Sequence, residues 1–332
     1  MTRPVEKEAV DVLVIGAGPI GLACGVEAKR RGLVCRVVEK GCLVNSIYNY
    51  PVNMTFFSTA DRLEIGDVPF ISHGDKPNRR EALNYYRRVA QAWELDVRTY
   101  EQVASLEGEA GRFEVRTDRG VHRARTVVVA TGYYDTPKLM NVPGEELAKV
   151  KHYYDEPHRY AYQDVVVIGG GNSAVDVALE TYRCGARVTI VVQEPEFKKG
   201  VKYWVLPDIE NRIADGEIKA FFNSGVERVA EREITLRTPE GPVTLANDFV
   251  LAMTGYVPDY ALLEKLGVTV GDDRWRSPSF NEETFESNRP GLFLAGVVCG
   301  GMETSKWFIE NSREHPGRIF DRIASHHFNR CN

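Results

Sequence analysis

The chain has 332 residues, 43% of them apolar and 27% charged, with a formal net charge of −5. That length suits two domains of roughly 100–200 residues each, and the composition is that of a globular chain and not a disordered one. A small negative net charge offers nucleic acid or an anionic membrane no electrostatic attraction, and no apolar run approaches the ~20 residues that cross a bilayer.

The opening MTRPVEKEAV carries acidic residues and no apolar core, so no secretion or transit segment is expected and the cytoplasm is the default setting. Val12–Ile15 then reads as a buried strand, followed by the turn Gly16-Ala17-Gly18-Pro19-Ile20-Gly21 and a helix to about Arg31. Leu33–Val38 is the next strand and ends on Glu39. Phe113–Val115 and Val121–Arg123 alternate around a turn at 118–120, and the strand Val127–Ala130 closes on Thr131-Gly132. The order then recurs. Val165–Ile168 leads into Gly169-Gly170-Gly171-Asn172-Ser173-Ala174, a helix to about Cys184 and the strand Val188–Val192. Ile234–Arg237, Val243–Leu245 and Phe249–Met253 follow, closing on Thr254-Gly255-Tyr256.

Recurrence of a whole strand–turn–helix–strand unit in fixed order is stronger than either motif alone. It predicts an α/β fold of two Rossmann-like dinucleotide-binding domains. Pro137–Tyr162 and Tyr256–Tyr260 read as crossings, and the late strand Leu292–Leu294 is expected to return to the first domain. The expected division is therefore 1–135 with 258–332 for one domain and 136–257, inserted, for the other.

A dinucleotide pyrophosphate needs close backbone N–H groups and the positive end of a helix. Gly16 permits the tight turn, Gly18 the close approach of phosphate, and Gly21 the packing of helix on strand. Pro19 and Lys40 belong to the same expected site, with Glu39 placed to accept hydrogen bonds from a ribose diol. In the second turn Gly169, Gly171 and Ala174 repeat the fingerprint, with Asn172 and Ser173 opening the helix and Thr254 and Gly255 at the closing strand end. The position of the ribose carboxylate falls near neutral Gln193, and Lys198, Lys199 and Lys202 follow. A 2′-phosphate prefers cations to a carboxylate, which favours NADPH over NADH. The same lysines also read as a solvated charge run, with Glu194 and Glu196 nearby.

Spacing alone does not separate FAD from NAD in the first site. The strand ends Ala130-Thr131-Gly132 and Phe293-Leu294-Ala295-Gly296 resemble those that complete the FAD site in the glutathione- and thioredoxin-reductase superfamily. Further stretches are more specific: Glu39-Lys40-Gly41, SIYNYP at 46–51, TFFS at 55–58, IGDVPF at 65–70, ALNYYR at 82–87 and FIEN at 308–311. With these the chain resembles the bacillithiol disulfide reductase family of thioredoxin-reductase-like flavoproteins. The resemblance implies FAD and NADPH as cofactors, a low-molecular-weight disulfide as substrate, a homo-oligomer, and Tyr48, Asn49 and Thr55 lying against the flavin. One departure stands out. Members with a proposed thiol role carry a cysteine between Pro and Gly of the first turn, where this chain has Ile20, so no sulfur relay can run through that position.

The six cysteines, at 24, 35, 42, 184, 299 and 331, form no CxxC pair and no zinc-like group, so neither structural disulfides nor a metal site is expected. Cys24, Cys35 and Cys184 read as packing residues, and Cys331 has no chemical context. Cys299 is a candidate thiol if a helix begins near Thr304, though a packing role is the alternative. His152 and His158 are candidate proton donors or simple hinge histidines. Phe56, Phe57, Tyr85 and Tyr86 read equally as a flavin shield and as core. A thioredoxin reductase is excluded, because Tyr133 to Ile168 contains no cysteine. Electron transfer to ferredoxin or flavodoxin, a small redox protein docking on the lysine loop, is the rival reading. A flavin monooxygenase is a third, but its FxGxxxH signature is missing, Val150-Lys151-His152 being the nearest approximation.

Overall fold

A computed structural model describes residues 9–328. They form two compact units. One contains the described residues up to Asn49, Asn53–Thr136 and those from Val257 onward; the other contains Tyr50–Val52 and Pro137–Tyr256.

The first unit opens with strand β1 (Val10–Ile15), helix α1 (Pro19–Arg30), β2 (Cys35–Val38), the short α2 (Asn45–Tyr48), α3 (Arg79–Ala92) and β3 (Asp96–Arg98). It continues with β4 (Val103–Glu109), β5 (Arg112–Thr117) and β6 (Gly120–Val129). The sheet runs β3-β2-β1-β6-β5-β4, and the late strand Leu292–Leu294 pairs with β6, parallel to it. Val12, Leu13 and Val14 are fully buried on both faces of β1, as a continuous apolar run in a central parallel strand must be.

Two expected strands, Val121–Arg123 and Val127–Ala130, are one. The first half of β6 runs antiparallel to β5 and its second half parallel to β1. His122, Ala124 and Thr126 point inward while Arg123 and Arg125 face water, so the charged outer face had hidden an unbroken alternation. Helix α3 starts on a capping box, Asn78 Oδ1 accepting from the Glu81 amide at 3.0 Å and Glu81 Oε2 from the Asn78 amide at 2.8 Å. It buries Tyr85, stacked on Phe70 at 4.2 Å, and Tyr86. Phe56, Tyr85 and Tyr86 are core residues, whereas Phe57 is 58% exposed.

The second unit contains β7 (Val150–Lys151), β8 (Asp164–Ile168), α4 (Asn172–Arg183), β9 (Arg187–Val191), α5 (Leu206–Ala214) and β10 (Lys219–Phe221). Three antiparallel strands follow, β11 (Gly225–Val229), β12 (Glu233–Thr238) and β13 (Gly241–Ala246), and then β14 (Phe249–Ala252). Its parallel sheet has the order β10-β9-β8-β14-β7. One core layer gathers Val165, Val167, Val177, Ile190 and Leu251; the other, with Val166, Ile168 and Val250, is closed by Ile234 and Leu236 of the antiparallel layer. No helix among the described residues is long and apolar enough to cross a membrane.

Candidate dinucleotide sites

In the first unit the chain leaves β1 through Gly16, whose amide donates to the Val38 carbonyl at 2.8 Å. Gly16 has φ +106, and a Cβ there would lie 2.6 Å from the Ala130 carbonyl oxygen, so only glycine fits. A Cβ on Gly21 would lie 1.8 Å from the Gly16 oxygen, which fixes how closely α1 packs on the turn. Gly18, by contrast, has nothing within 4 Å of its Cβ position. It precedes Pro19 at the start of α1 without a side-chain cap, so the helix presents its leading amides to an open space.

Glu39 is only 7% exposed. Its Oε2 accepts from the Ala17 amide at 2.8 Å and its Oε1 from the Gly41 amide at 2.9 Å. Burial pushes its carboxyl above the ordinary range, and the two amides oppose that rise. Glu39 forms part of a 410 Å³ cleft with Gly16, Lys40, Thr131, Gly132 and Asp135; Lys40 and Asp135 are 3.1 Å apart in an ion pair. A cradle that any Cβ would fill, beside a cleft of this size, fits a dinucleotide.

Gly296 follows the late strand with φ +82. Ile20, 7% exposed, packs on it: a Cβ on Gly296 would meet Ile20 Cγ1 at 3.2 Å. The Gly296 amide donates to His315 Nδ1 at 3.2 Å. His315, a residue with no signal in the sequence, is 2% exposed and stacks on Phe285 at 4.0 Å. Burial, with the Arg318 charge second, lowers its pKa to about 3.

Tyr48 and Asn49 close α2. Tyr48 is 54% exposed and its carbonyl accepts from Arg79 Nε at 3.1 Å, while Asn49 Nδ2 donates to the Asn45 carbonyl at 2.8 Å. Thr55 is exposed and bridges to Asn78.

No helix begins at Thr304. The next one starts at Ile309, and Cys299 lies inside a short 3-10 turn, Gly296–Gly300, 2% exposed. The helix terminus invoked to activate its thiol is therefore absent, and burial pushes that thiol well up. Burial does the same for Cys24 and lifts Cys35 to about 12. Cys42 is half-buried with its thiol raised, Cys184 is half-buried, and Cys331 lies outside the described residues. Among the described residues no cluster of potential ligands could hold a metal.

The second cradle repeats the first in register. The Gly169 amide donates to the Val191 carbonyl at 2.9 Å, as Gly16 does to Val38. The Val192 amide donates to Phe221 and its carbonyl accepts from Ser224; in the first unit Glu39 makes the same pair of bonds with Arg98 and Glu101. Val192, fully buried, thus occupies the position of Glu39, one residue before the expected Gln193. Gly171 has φ −102 and opens α4 without a side-chain cap, and Ala174 is accommodated 3.2 Å from the Cβ position of Gly169. Ser173 is exposed on the first turn of the helix.

The lysine loop docks on this turn. The Lys198 amide donates to the Gly170 carbonyl at 2.9 Å, Asn172 Nδ2 to the Gly200 carbonyl at 2.8 Å, and the Lys202 amide to Asn172 Oδ1 at 2.8 Å. Lys202 Nζ is committed to Asp176 at 2.7 Å, which leaves Lys198 and Lys199, both exposed, as the cations facing solvent. Thr254 Oγ1 donates to the Lys138 carbonyl at 2.5 Å, and Gly255 follows with φ +96. His152 Nε2 lies 3.4 Å from Glu145 while its Nδ1 is buried without a partner, and His158 is exposed.

Two cradles of one design in a single chain define an oxidoreductase in which one dinucleotide reduces another. The family model described as pyridine nucleotide-disulphide oxidoreductase matches residues 13–296. The bacilliredoxin reductase of Bacillus subtilis is 45% identical over 322 residues, covering 96% of this chain and 98% of that protein. The solved bacillithiol disulfide reductase of Bacillus cereus superimposes with a TM-score of 0.93 at 43% identity, covering 96% of this chain and 100% of that one. A ferredoxin–NADP reductase of Paraburkholderia xenovorans is 30% identical, covering 94% and 86%. The chain belongs to the pyridine nucleotide-disulphide oxidoreductases and, among them, to the bacillithiol disulfide reductase family. It is an NADPH-dependent FAD flavoprotein.

Proposed function

We propose that residues 1–135 with 258–332 hold FAD, that residues 136–257 hold NADPH, and that the chain reduces a low-molecular-weight disulfide of the bacillithiol type. The balance is NADPH + H⁺ + RSSR giving NADP⁺ and 2 RSH. When bound, the nicotinamide supplies the hydride and the flavin delivers its two electrons to the disulfide. The carrying observation is the pair of register-matched cradles, one keeping the buried carboxylate Glu39 and the other replacing it with Val192.

The chain's own residues bind and orient. The open amides at the starts of α1 and α4 face pyrophosphates, Glu39 aligns a ribose while bracing the Gly-rich turn, and Lys198 and Lys199 supply charge for a 2′-phosphate. Thr131, Gly132 and Gly296 form the remaining wall of the first site, with Tyr48, Asn49 and Thr55 at its flavin end. Ile20 puts no sulfur at the family's cysteine position, and burial raises the thiols of Cys24 and Cys299 on the same side of the first unit, so the reading takes the disulfide to be reduced without a protein sulfur. A cytoplasmic homo-oligomer belongs to the same reading and rests on the family resemblance.

The test is anaerobic NADPH consumption by the FAD-loaded protein, offered oxidised bacillithiol, other small disulfides and ferredoxin in separate cuvettes. Turnover with bacillithiol disulfide supports the proposal. Turnover with ferredoxin alone would overturn it in favour of electron transfer to a protein.

A further inference from the structure

The substitution of Val192 for the ribose carboxylate does not leave the second cradle without an acid. Glu194, two residues further along, turns back over the Gly-rich loop: its Oε2 lies 3.5 Å from the Cβ position of Gly170. Gly170 is the counterpart of Ala17, whose amide Glu39 engages in the first unit. Both units thus bring a carboxylate to the same residue of the turn by different routes.

Glu194 is not alone there. Lys198 Nζ lies 3.7 Å from Glu194 Oε1, and Lys198 Cδ lies 3.9 Å from the Cβ position of Gly171, on the open side of the cradle. The loop carrying both charges is anchored by buried Phe197 and Val201 and by the side-chain amide of Asn172, which keeps its backbone on the rim of the turn.

We infer that Glu194 and Lys198 are opposed specificity-determining residues at the adenosine ribose of the nicotinamide cofactor. Lys198 selects the 2′-phosphate of NADPH, and Glu194 accepts the 2′,3′-diol of NADH. This rests on the assignment of the nicotinamide cofactor to the second unit. The physics is a competition within one ion pair. A dianionic 2′-phosphate draws Lys198 from Glu194 and is repelled by the carboxylate left behind. A neutral diol donates to the carboxylate and gains nothing from the ammonium. The balance within this pair therefore sets how strongly the chain prefers NADPH over NADH.

The test is calorimetric binding of NADP⁺ and NAD⁺ to the full-chain FAD holoprotein, for the parent and for Glu194→Gln and Lys198→Gln. Both side chains are about half exposed, so folding is not at stake, and flavin content checks it. Loss of one charge-assisted contact is expected to cost about tenfold, or about 1.4 kcal/mol. Glu194→Gln should weaken NAD⁺ by that factor and tighten NADP⁺. Lys198→Gln should do the reverse. Equal shifts of both nucleotides in a variant, or no shift in either, would overturn the inference while leaving the cofactor assignment standing. Absence of binding by either nucleotide to the parent would overturn both.

Discussion

Replacing His315 by glutamine tests whether the wall of the first site is as dry as its geometry requires. The imidazole is neutral in the folded chain, its pKa lowered from the ordinary 6.5 to about 3 by burial, with Arg318 adding to the effect. As pH falls, the unfolded chain therefore takes up the proton first, so stability is full above about 6.5 and falls by about 1.4 kcal/mol for each unit below it. Between pH 7 and pH 4.5 the loss due to this one residue is about 3 kcal/mol. Glutamine keeps an acceptor for the Gly296 amide but does not titrate. At pH 7 the variant should be less stable by about 1 kcal/mol, from lost stacking on Phe285. By pH 4.5 that gap should close and reverse. Urea unfolding of FAD-saturated protein at several pH values reads both effects, and the other titrating groups cancel in the difference. Parallel pH profiles for parent and variant would refute the reasoning, since they would mean that His315 is hydrated or charged in the folded state.

Glu39→Ala leaves the fully buried Ala17 amide without its acceptor, a cost of about 1–3 kcal/mol. The variant should purify with little FAD; a full complement by absorbance would contradict the role given to Glu39. Cys24→Ala combined with Cys299→Ala should retain disulfide turnover within about threefold, as expected of thiols that burial keeps protonated. The parent protein should also resist alkylation at both positions, and mass mapping after brief iodoacetamide treatment decides it. Asn172→Ala removes two of the three hydrogen bonds that hold the lysine loop on its turn, leaving the Lys198 amide on the Gly170 carbonyl. Each is worth about 1 kcal/mol, so KM for NADPH should rise about tenfold or more; an unchanged KM would show that the loop holds its place without them.

The repeated βαβ unit was legible because its signals are local. Gly16, Gly21 and Gly169 stand where a Cβ would strike backbone or the helix that packs there, and the strands around them are continuous apolar runs. β4 and the continuity of β6 through residues 124–126 are harder to read, because Glu and Arg on their outer faces break the apolar pattern that marks a strand. The residue equivalent to Glu39 in the second unit, Val192, lies next to Gln193, near which the sequence places the ribose carboxylate. Only the bonds of Val192 to Phe221 and Ser224 fix its equivalence to Glu39. Three of the four aromatics read as either shield or core proved to be core, since Tyr85 and Tyr86 find carbonyl partners at Ile65 and Leu63 that are remote in sequence. His315 and the Lys40–Asp135 pair depend on contacts between distant segments and gave no sequence signal.

The most direct test of the central claim, that two cofactors reduce a small disulfide with no protein thiol between them, is an anaerobic titration of the FAD holoprotein with NADPH. The account predicts complete bleaching of the flavin at one equivalent of NADPH per FAD, followed by full return of colour on addition of one equivalent of oxidised bacillithiol. Uptake of two equivalents would contradict it by revealing a redox-active disulfide in the chain, and so would a bleached flavin that bacillithiol disulfide leaves reduced.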